Sequence, residues 1–117
     1  MIIAIIRPER LEAVEEALGA VLDEGDTYRI TIDTVEGRGR QEGEVELFRG
    51  QQVRVRNVQK TRITLFVNDA YVEKTISAIQ KGARTEPNGA VGDGKIFVMP
   101  VEEAVRIRTG ERGGSAI

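Results

Sequence analysis

An α+β fold of the split βαβ, ferredoxin-like kind is what this 117-residue sequence predicts. Two segments carry apolar residues at helical spacing and four carry strand patterns. They follow the order strand, helix, strand, long loop, strand, helix, strand. The length suits a single domain with one core. The order also resembles two copies of one βαβ unit, although no residue-level repeat accompanies it.

Ile2–Ile6 is a nearly continuous apolar run, the pattern of a strand buried on both faces. Pro8 stands at a first helical position, with Glu9 in the first turn. Leu11, Val14, Leu18 and Val21 recur at helical spacing, with Glu12, Glu15 and Glu16 opposite them. Gly25-Asp26 breaks that pattern. Arg29–Val35 alternates, with Ile30 and Ile32 facing one way and Thr31, Asp33 and Val35 the other, as a half-buried strand does.

From Gly37 to about Gln59 no period holds. Thr61–Val67 alternates again, with Ile63, Leu65 and Val67 on one face. Asn68-Asp69 supplies a helix cap, and Val72, Ile76 and Ile79 form the second helix's stripe. Gly82–Gly94 is a second irregular loop. Ile96–Met99 is a strand stopped by Pro100. Val101–Ala104 fits a short helical turn, Val105–Arg108 is extended or irregular, and a Gly-rich tail follows from Gly110.

Composition removes many functions. Lys and Arg number 17 against 19 Asp and Glu, a net charge of −2. That balance argues against coating nucleic acid or membrane through bulk charge. With no Cys, disulfides, thiolate metal sites and Cys nucleophiles are excluded. With no His, Ser-His-Asp triads and imidazole ligands are excluded, and a trimeric metal-binding protein of similar fold is a poor match. No run approaches the ~18 to 20 apolar residues of a membrane span. Met1–Ile6 ends at Arg7-Pro8, short of a signal peptide. The expectation is a cytoplasmic protein with no direct membrane insertion. An RNA-binding sheet needs two or three stacking aromatics, and the strands offer only Phe66 and Phe97.

Three glycine- or arginine-rich stretches are candidates for anion binding. In Gly89–Lys95 the spacing is Gly, four residues, Gly-Lys, most of a phosphate-binding P-loop. Ile96 replaces the hydroxyl residue that holds magnesium, and a strand pattern follows where a P-loop opens a helix. A nest of backbone N–H groups with Lys95 as a point charge remains open, as does a tight hairpin with an exposed Lys. Gly37–Gly43 places Arg38 and Arg40 between glycines. It suits an anion or a flexible basic loop. Arg106 and Arg108 share a side of an extended chain, which suits a polyphosphate or a solvated edge. The long loop carries more cations than carboxylates and exposes Leu47-Phe48. Loops this long in small domains are usually functional. No nucleophile and base pair is evident, so the sequence predicts a binding protein and not an enzyme. A small phosphotransferase using Gly89–Lys95 is the competing reading.

Together these pieces resemble the PII nitrogen-regulatory signalling proteins over nearly the whole chain. The matching segments are Ala4–Pro8, Val35–Gly43, Glu46–Gly50, Gly92–Val98 and Arg106–Glu111, in the family's order, and Ser115–Ile117 is also PII-like. The resemblance implies one PII-like domain over residues 1–117, with a T-loop at 37–57 after the second strand. It implies a B-loop at 82–95, a C-terminal loop and tail at 106–117, and a homotrimer. It further implies ATP and ADP competing for clefts between subunits. Gly92, Asp93, Gly94 and Lys95 match the loop around the phosphates. Arg106, Ile107 and Arg108 match the C-terminal loop that reaches them. Thr31, Arg40 and the backbone near Phe66 match positions lining the nucleotide. Gln41 matches the magnesium ligand that, with Mg-ATP, brings in 2-oxoglutarate. Lys60 matches the Lys that pairs with the distal carboxylate, and Arg7 stands where a Lys contributes. Leu47, Phe48 and Arg49 match the target-facing tip, and Arg49 the Arg that plugs an ammonium channel.

The sequence departs from the family pattern in places. Val53 stands where many bacterial members carry the uridylylated Tyr, and Phe48 at a nearby position usually held by Tyr. Thr64 replaces a common acidic residue. About three extra residues sit around Glu86-Pro87-Asn88, and Asp23–Tyr28 is also longer. Some PII-like branches bind other adenine nucleotides and serve carbon or bicarbonate control. Gln41 and Lys60 favour the 2-oxoglutarate-sensing kind.

Overall fold

The structure, a computed structural model, describes residues 1–22, 29–39, 45–48, 51–54 and 57–117, the short strands 45–48 and 51–54 by their backbone. Its elements are β1 Ile2–Ile6, α1 Leu11–Val21, β2 Ile30–Gly37, β3 Val45–Phe48, β4 Gln51–Arg54, β5 Val58–Leu65, α2 Val72–Ala83 and β6 Gly94–Val98. β2, β5, β1 and β6 form one antiparallel sheet in that order, and β3 pairs with β4 in a second. The expected α+β, ferredoxin-like order is therefore present.

Both helices cover one face of the four-stranded sheet. Ile2, Ala4 and Ile6 of β1 join Ile63 and Leu65 of β5 in a core with Val14, Leu18, Leu22, Ala78 and Ile79. β1 is not buried on both faces as its apolar run suggests. Ile3 and Ile5 look out on the helix-free face and are only half-buried. β5 starts at Val58 and ends at Leu65, so Val67 packs on the core from beyond the strand.

The helix stripes are rotated from the sequence expectation. Along α1 and its C-cap the buried line runs Val14, Leu18, Leu22, each four residues on, while Val21 faces outward. In α2 the buried residues are Thr75, Ala78, Ile79, Gly82 and Ala83, and Val72 and Ile76 are half-buried. Small residues take that face because the helices touch. A Cβ on Gly82 would lie 2.7 Å from the Val14 Cα and 2.9 Å from the Ala13 carbonyl oxygen. The expected Asn68 cap is absent: Asn68 precedes a 3-10 turn, and its Nδ2 donates to the Gly114 carbonyl at 3.3 Å.

The loops also depart from expectation. The long loop after β2 contains the β3–β4 hairpin, with Leu47 opposite Gln52 and Phe48 opposite Gln51. The second loop spans 84–93, since Gly82 and Ala83 close α2 and Gly94 and Lys95 open β6. No helical turn forms at Val101–Ala104.

Candidate functional site

The strand register sorts the candidate residues into two groups. Ile6 pairs with Thr61 on one side and Gly94 on the other; Ile2 pairs with Leu65 and Val98. Arg7, Lys60 and the Gly92–Lys95 turn therefore meet at the Ile6 end of the sheet. Thr31, opposite Thr64, and Phe66, just past Leu65, lie towards the Ile2 end. The span from Ile2 to Ile6 is about 13 Å at ~3.3 Å per residue.

At the Ile6 end the turn is tied down by side chains from three elements. Asp93 accepts from Arg7 Nε at 3.1 Å, from the Thr85 amide at 3.0 Å, from the Ala90 amide at 2.9 Å and from the Thr85 hydroxyl. Partial burial opposes its charge. The Thr85 hydroxyl, the two amides and the Arg7 guanidinium outweigh that and hold the carboxyl well below the usual carboxylate range. Arg7 also donates from Nη2 to the Val91 carbonyl at 2.7 Å, and its Nη1 lies 4.0 Å from Glu9.

Lys60, only 8% exposed, donates from Nζ to the Gly92 carbonyl at 2.6 Å. Burial and then the charge of Arg7 push its ammonium below the usual lysine value, with Glu9 and Asp93 opposing. Gly94 has φ +109°, and a Cβ there would overlap the Ile5 carbonyl oxygen. Only glycine lets the chain come this close to β1. Lys95 is exposed, and it opens a strand as the sequence pattern requires, not the helix of a P-loop. A cleft of about 810 Å³ runs between this turn and Gly37–Gly39, with Lys60 and Lys95 lining it. Its two lysines and glycine turn have the chemistry that suits an anion.

At the Ile2 end a second cleft, about 560 Å³, is lined by Phe66, Asn68, Val98, Ala104, Gly113 and Ile117 among others. The C-terminal segment borders it. Arg106 and Arg108 do not share a side of an extended chain. Residues 107–109 form a turn, closed by the Gly110 amide donating to the Arg106 carbonyl at 2.7 Å and the Arg106 amide to the Glu111 carbonyl at 2.9 Å. Gly110, with φ +74°, permits that reversal. Arg106 folds back on the tail, 3.8 Å from the Glu111 carboxylate and 3.2 Å from the Ser115 carbonyl. Arg108 is exposed and Ile107 fully so.

Arg40, Gln41 and Arg49 lie outside the described residues, and Leu47 and Phe48 are placed by backbone alone in β3. Sequence reasoning missed Thr85. Its only signal is a hydroxyl residue just after the second helix, eight positions before an Asp set between glycines.

The family model for nitrogen regulatory protein P-II matches residues 1–111. A nitrogen regulatory protein P-II from Rhodospirillum rubrum is 50% identical over 114 residues, covering 97% of this chain and 96% of the relative. Nitrogen regulatory protein P-II 2 of Methanothermobacter thermautotrophicus is 47% identical over 116 residues, covering 99% and 95%. Among solved structures, Arabidopsis thaliana PII bound to citrate aligns with a TM-score of 0.73 and 36% identity, over 99% of this chain and 89% of that one. The chain belongs to the PII family of nitrogen-regulatory signal transduction proteins.

Proposed function

We propose that the protein is a homotrimeric sensor that binds ATP and ADP competitively in clefts between subunits. In this reading it takes 2-oxoglutarate only together with Mg-ATP and signals through the 37–57 T-loop. One observation carries the reading: the candidate ligand residues fall at opposite ends of one sheet. Within one chain, Gly92–Lys95 and the C-terminal segment that carries Arg106–Arg108 border different clefts. Two chains can close both on one nucleotide if the Ile6 end of one meets the Ile2 end of the next. Gly92, Gly94 and Lys95 then receive the phosphates, Arg106 and Arg108 reach in from the neighbour, and Thr31, Phe66 and Ile107 border the nucleoside.

Lys60 and Arg7 supply the positive ground for a dicarboxylate. The citrate in the Arabidopsis relative, itself a polycarboxylate, supports an anion site here. Gln41 offers a neutral oxygen to magnesium, the kind of ligand a hard cation accepts. Magnesium held by Gln41 would supply charge neutralisation for the phosphates and the keto acid. The docking tip is Leu47-Phe48-Arg49, and an ammonium transporter is the partner this reading favours.

The test mixes two variants. Lys95→Gln and Arg108→Gln chains each spoil every cleft of their own trimer. In co-expressed mixed trimers, a cleft built from the intact half of each chain reappears. Recovery of tight ATP binding, measured by calorimetry on the mixed species, is the expected result. No recovery, or a monomeric protein that binds ATP, would refute the shared cleft.

A further inference from the structure

Resting on that nucleotide-sensing reading, we propose that Asp93 is a positioning residue. Its carboxylate touches no ligand. It fixes the glycine turn and Arg7, and through the turn it sets Lys95 and the Gly92 carbonyl that Lys60 grips. The resemblance places Asp93 among the residues around the phosphates, and an anion facing an anion would be repelled there. The geometry resolves this conflict. All four donors on Asp93 come from the protein: Arg7 after β1, the Thr85 amide and hydroxyl after α2, and the Ala90 amide in the turn. A carboxylate accepts about four hydrogen bonds, so its capacity is filled.

Three elements thus converge on one side chain. Thr85 and Ala90 bracket 86–89, the stretch that includes the extra residues Glu86-Pro87-Asn88. By holding both ends, Asp93 shuts that excursion into a closed turn, which Arg84 braces through the Asn88 carbonyl at 3.0 Å. The Arg7 bond to Asp93 also aims its Nη2 at the Val91 carbonyl. Val91 and Gly92 are consequently pinned by Arg7 and Lys60, and the chain enters β6 at Gly94 in a fixed direction. Lys95 leaves that strand towards the cleft. Side-chain direction here depends on a carboxylate that the ligand never meets.

The experiment compares Asp93→Asn, Lys95→Gln and the double variant with the unchanged protein, using Mg-ATP calorimetry and amide hydrogen exchange without ligand. Asn keeps the size but turns one acceptor into a donor facing N–H groups. Exchange at the Thr85 and Ala90 amides should accelerate at least about tenfold, and ATP affinity should fall by roughly tenfold or more. The double variant should lose less than the product of the single losses, because both changes act through Lys95. Thr85→Val, which removes one hydroxyl and keeps the backbone amide, should show the same effects in weaker form should Asp93→Asn fail to fold. Faster exchange with unchanged ATP affinity would make the role purely structural and overturn the proposal. Fully multiplicative losses would indicate direct ligand contact and do the same. An unchanged protein that takes up no adenine nucleotide would refute the functional reading itself, whereas unchanged exchange at Thr85 and Ala90 would refute only the positioning role.

Discussion

Lys60 Nζ donates a 2.6 Å hydrogen bond to the Gly92 carbonyl, so a β5 cation and the turn before β6 form one unit. A ligand that draws on Lys60 also acts on the turn.

Lys60→Met keeps the apolar stem and removes the ammonium. Loss of a charge-assisted bond costs about 1.5–3 kcal/mol, so 2-oxoglutarate affinity in the presence of Mg-ATP should drop roughly 10- to 100-fold. ATP affinity should fall less, through the loosened turn. Calorimetry with each ligand checks this, and unchanged 2-oxoglutarate binding would remove Lys60 from that site.

Lys95→Gln removes a charge from the proposed phosphate contact without touching the core. ATP and ADP should both weaken by about 1.5–3 kcal/mol, and thermal stability should hold, because Lys95 is exposed. A titration showing native ATP affinity would refute the assignment.

Gly94→Ala must place a Cβ on the Ile5 carbonyl oxygen at φ +109°. The backbone strain alone costs about 1–3 kcal/mol, and the overlap breaks the Ile6–Gly94 end of the β1–β6 ladder. Denaturant unfolding should show a loss of at least about 3 kcal/mol. A variant as stable as the parent would contradict the close approach.

Asp93 sits with its carboxyl below the ordinary value of 3.8, despite partial burial, because of the Thr85, Ala90 and Arg7 donors. A depressed folded value means its stabilisation is complete above the unfolded pKa and is lost as pH falls towards the folded one. The stability gap between the native protein and Asp93→Asn should thus be constant from neutrality to about pH 5 and shrink below about pH 4. Equilibrium unfolding across that range measures it. A gap that widens in acid would reverse the sign of the argument.

Arg49→Ala should abolish capture of the proposed membrane partner while leaving nucleotide affinity unchanged. ADP should promote capture, and Mg-ATP with 2-oxoglutarate should release it, since a ligand shifts a loop only by binding its conformers unequally. Pull-down from membranes of the source cell reads this out. The same loop should carry no nucleotidyl adduct by mass spectrometry, because the sequence has no Tyr between Gly37 and Lys60.

The order of elements was legible because alternation and helical spacing are local signals. Leu22 in place of Val21 shows the limit: which of two adjacent apolar residues turns inward depends on where the neighbouring helix lies. Gly82 belongs to the same class, since it read as a loop residue and is the contact point of two helices. The β3–β4 hairpin escaped notice because its strands are four residues each. At the site, glycine spacing and Lys95 were visible. The Arg7–Asp93 pair was not, for its members stand 86 positions apart and no periodicity links them. The turn at 107–109 also overrides the two-residue alternation that would align Arg106 with Arg108 on an extended chain.

With only a hydrogen at Gly82, α2 settles onto the Val14 backbone like a key in a slot. Sliding α2 by one turn, about 5.4 Å, would bring Ala78 or Ile79, which share the buried face with Gly82, into a space that admits no side chain. Shear between packed helices, one common way for proteins to relay a signal, is closed off at that crossing. The helix pair serves as a stator. Any movement in response to a ligand would then fall to the chain where it leaves the sheet, at Gly37 and beyond Val105, which border the two clefts.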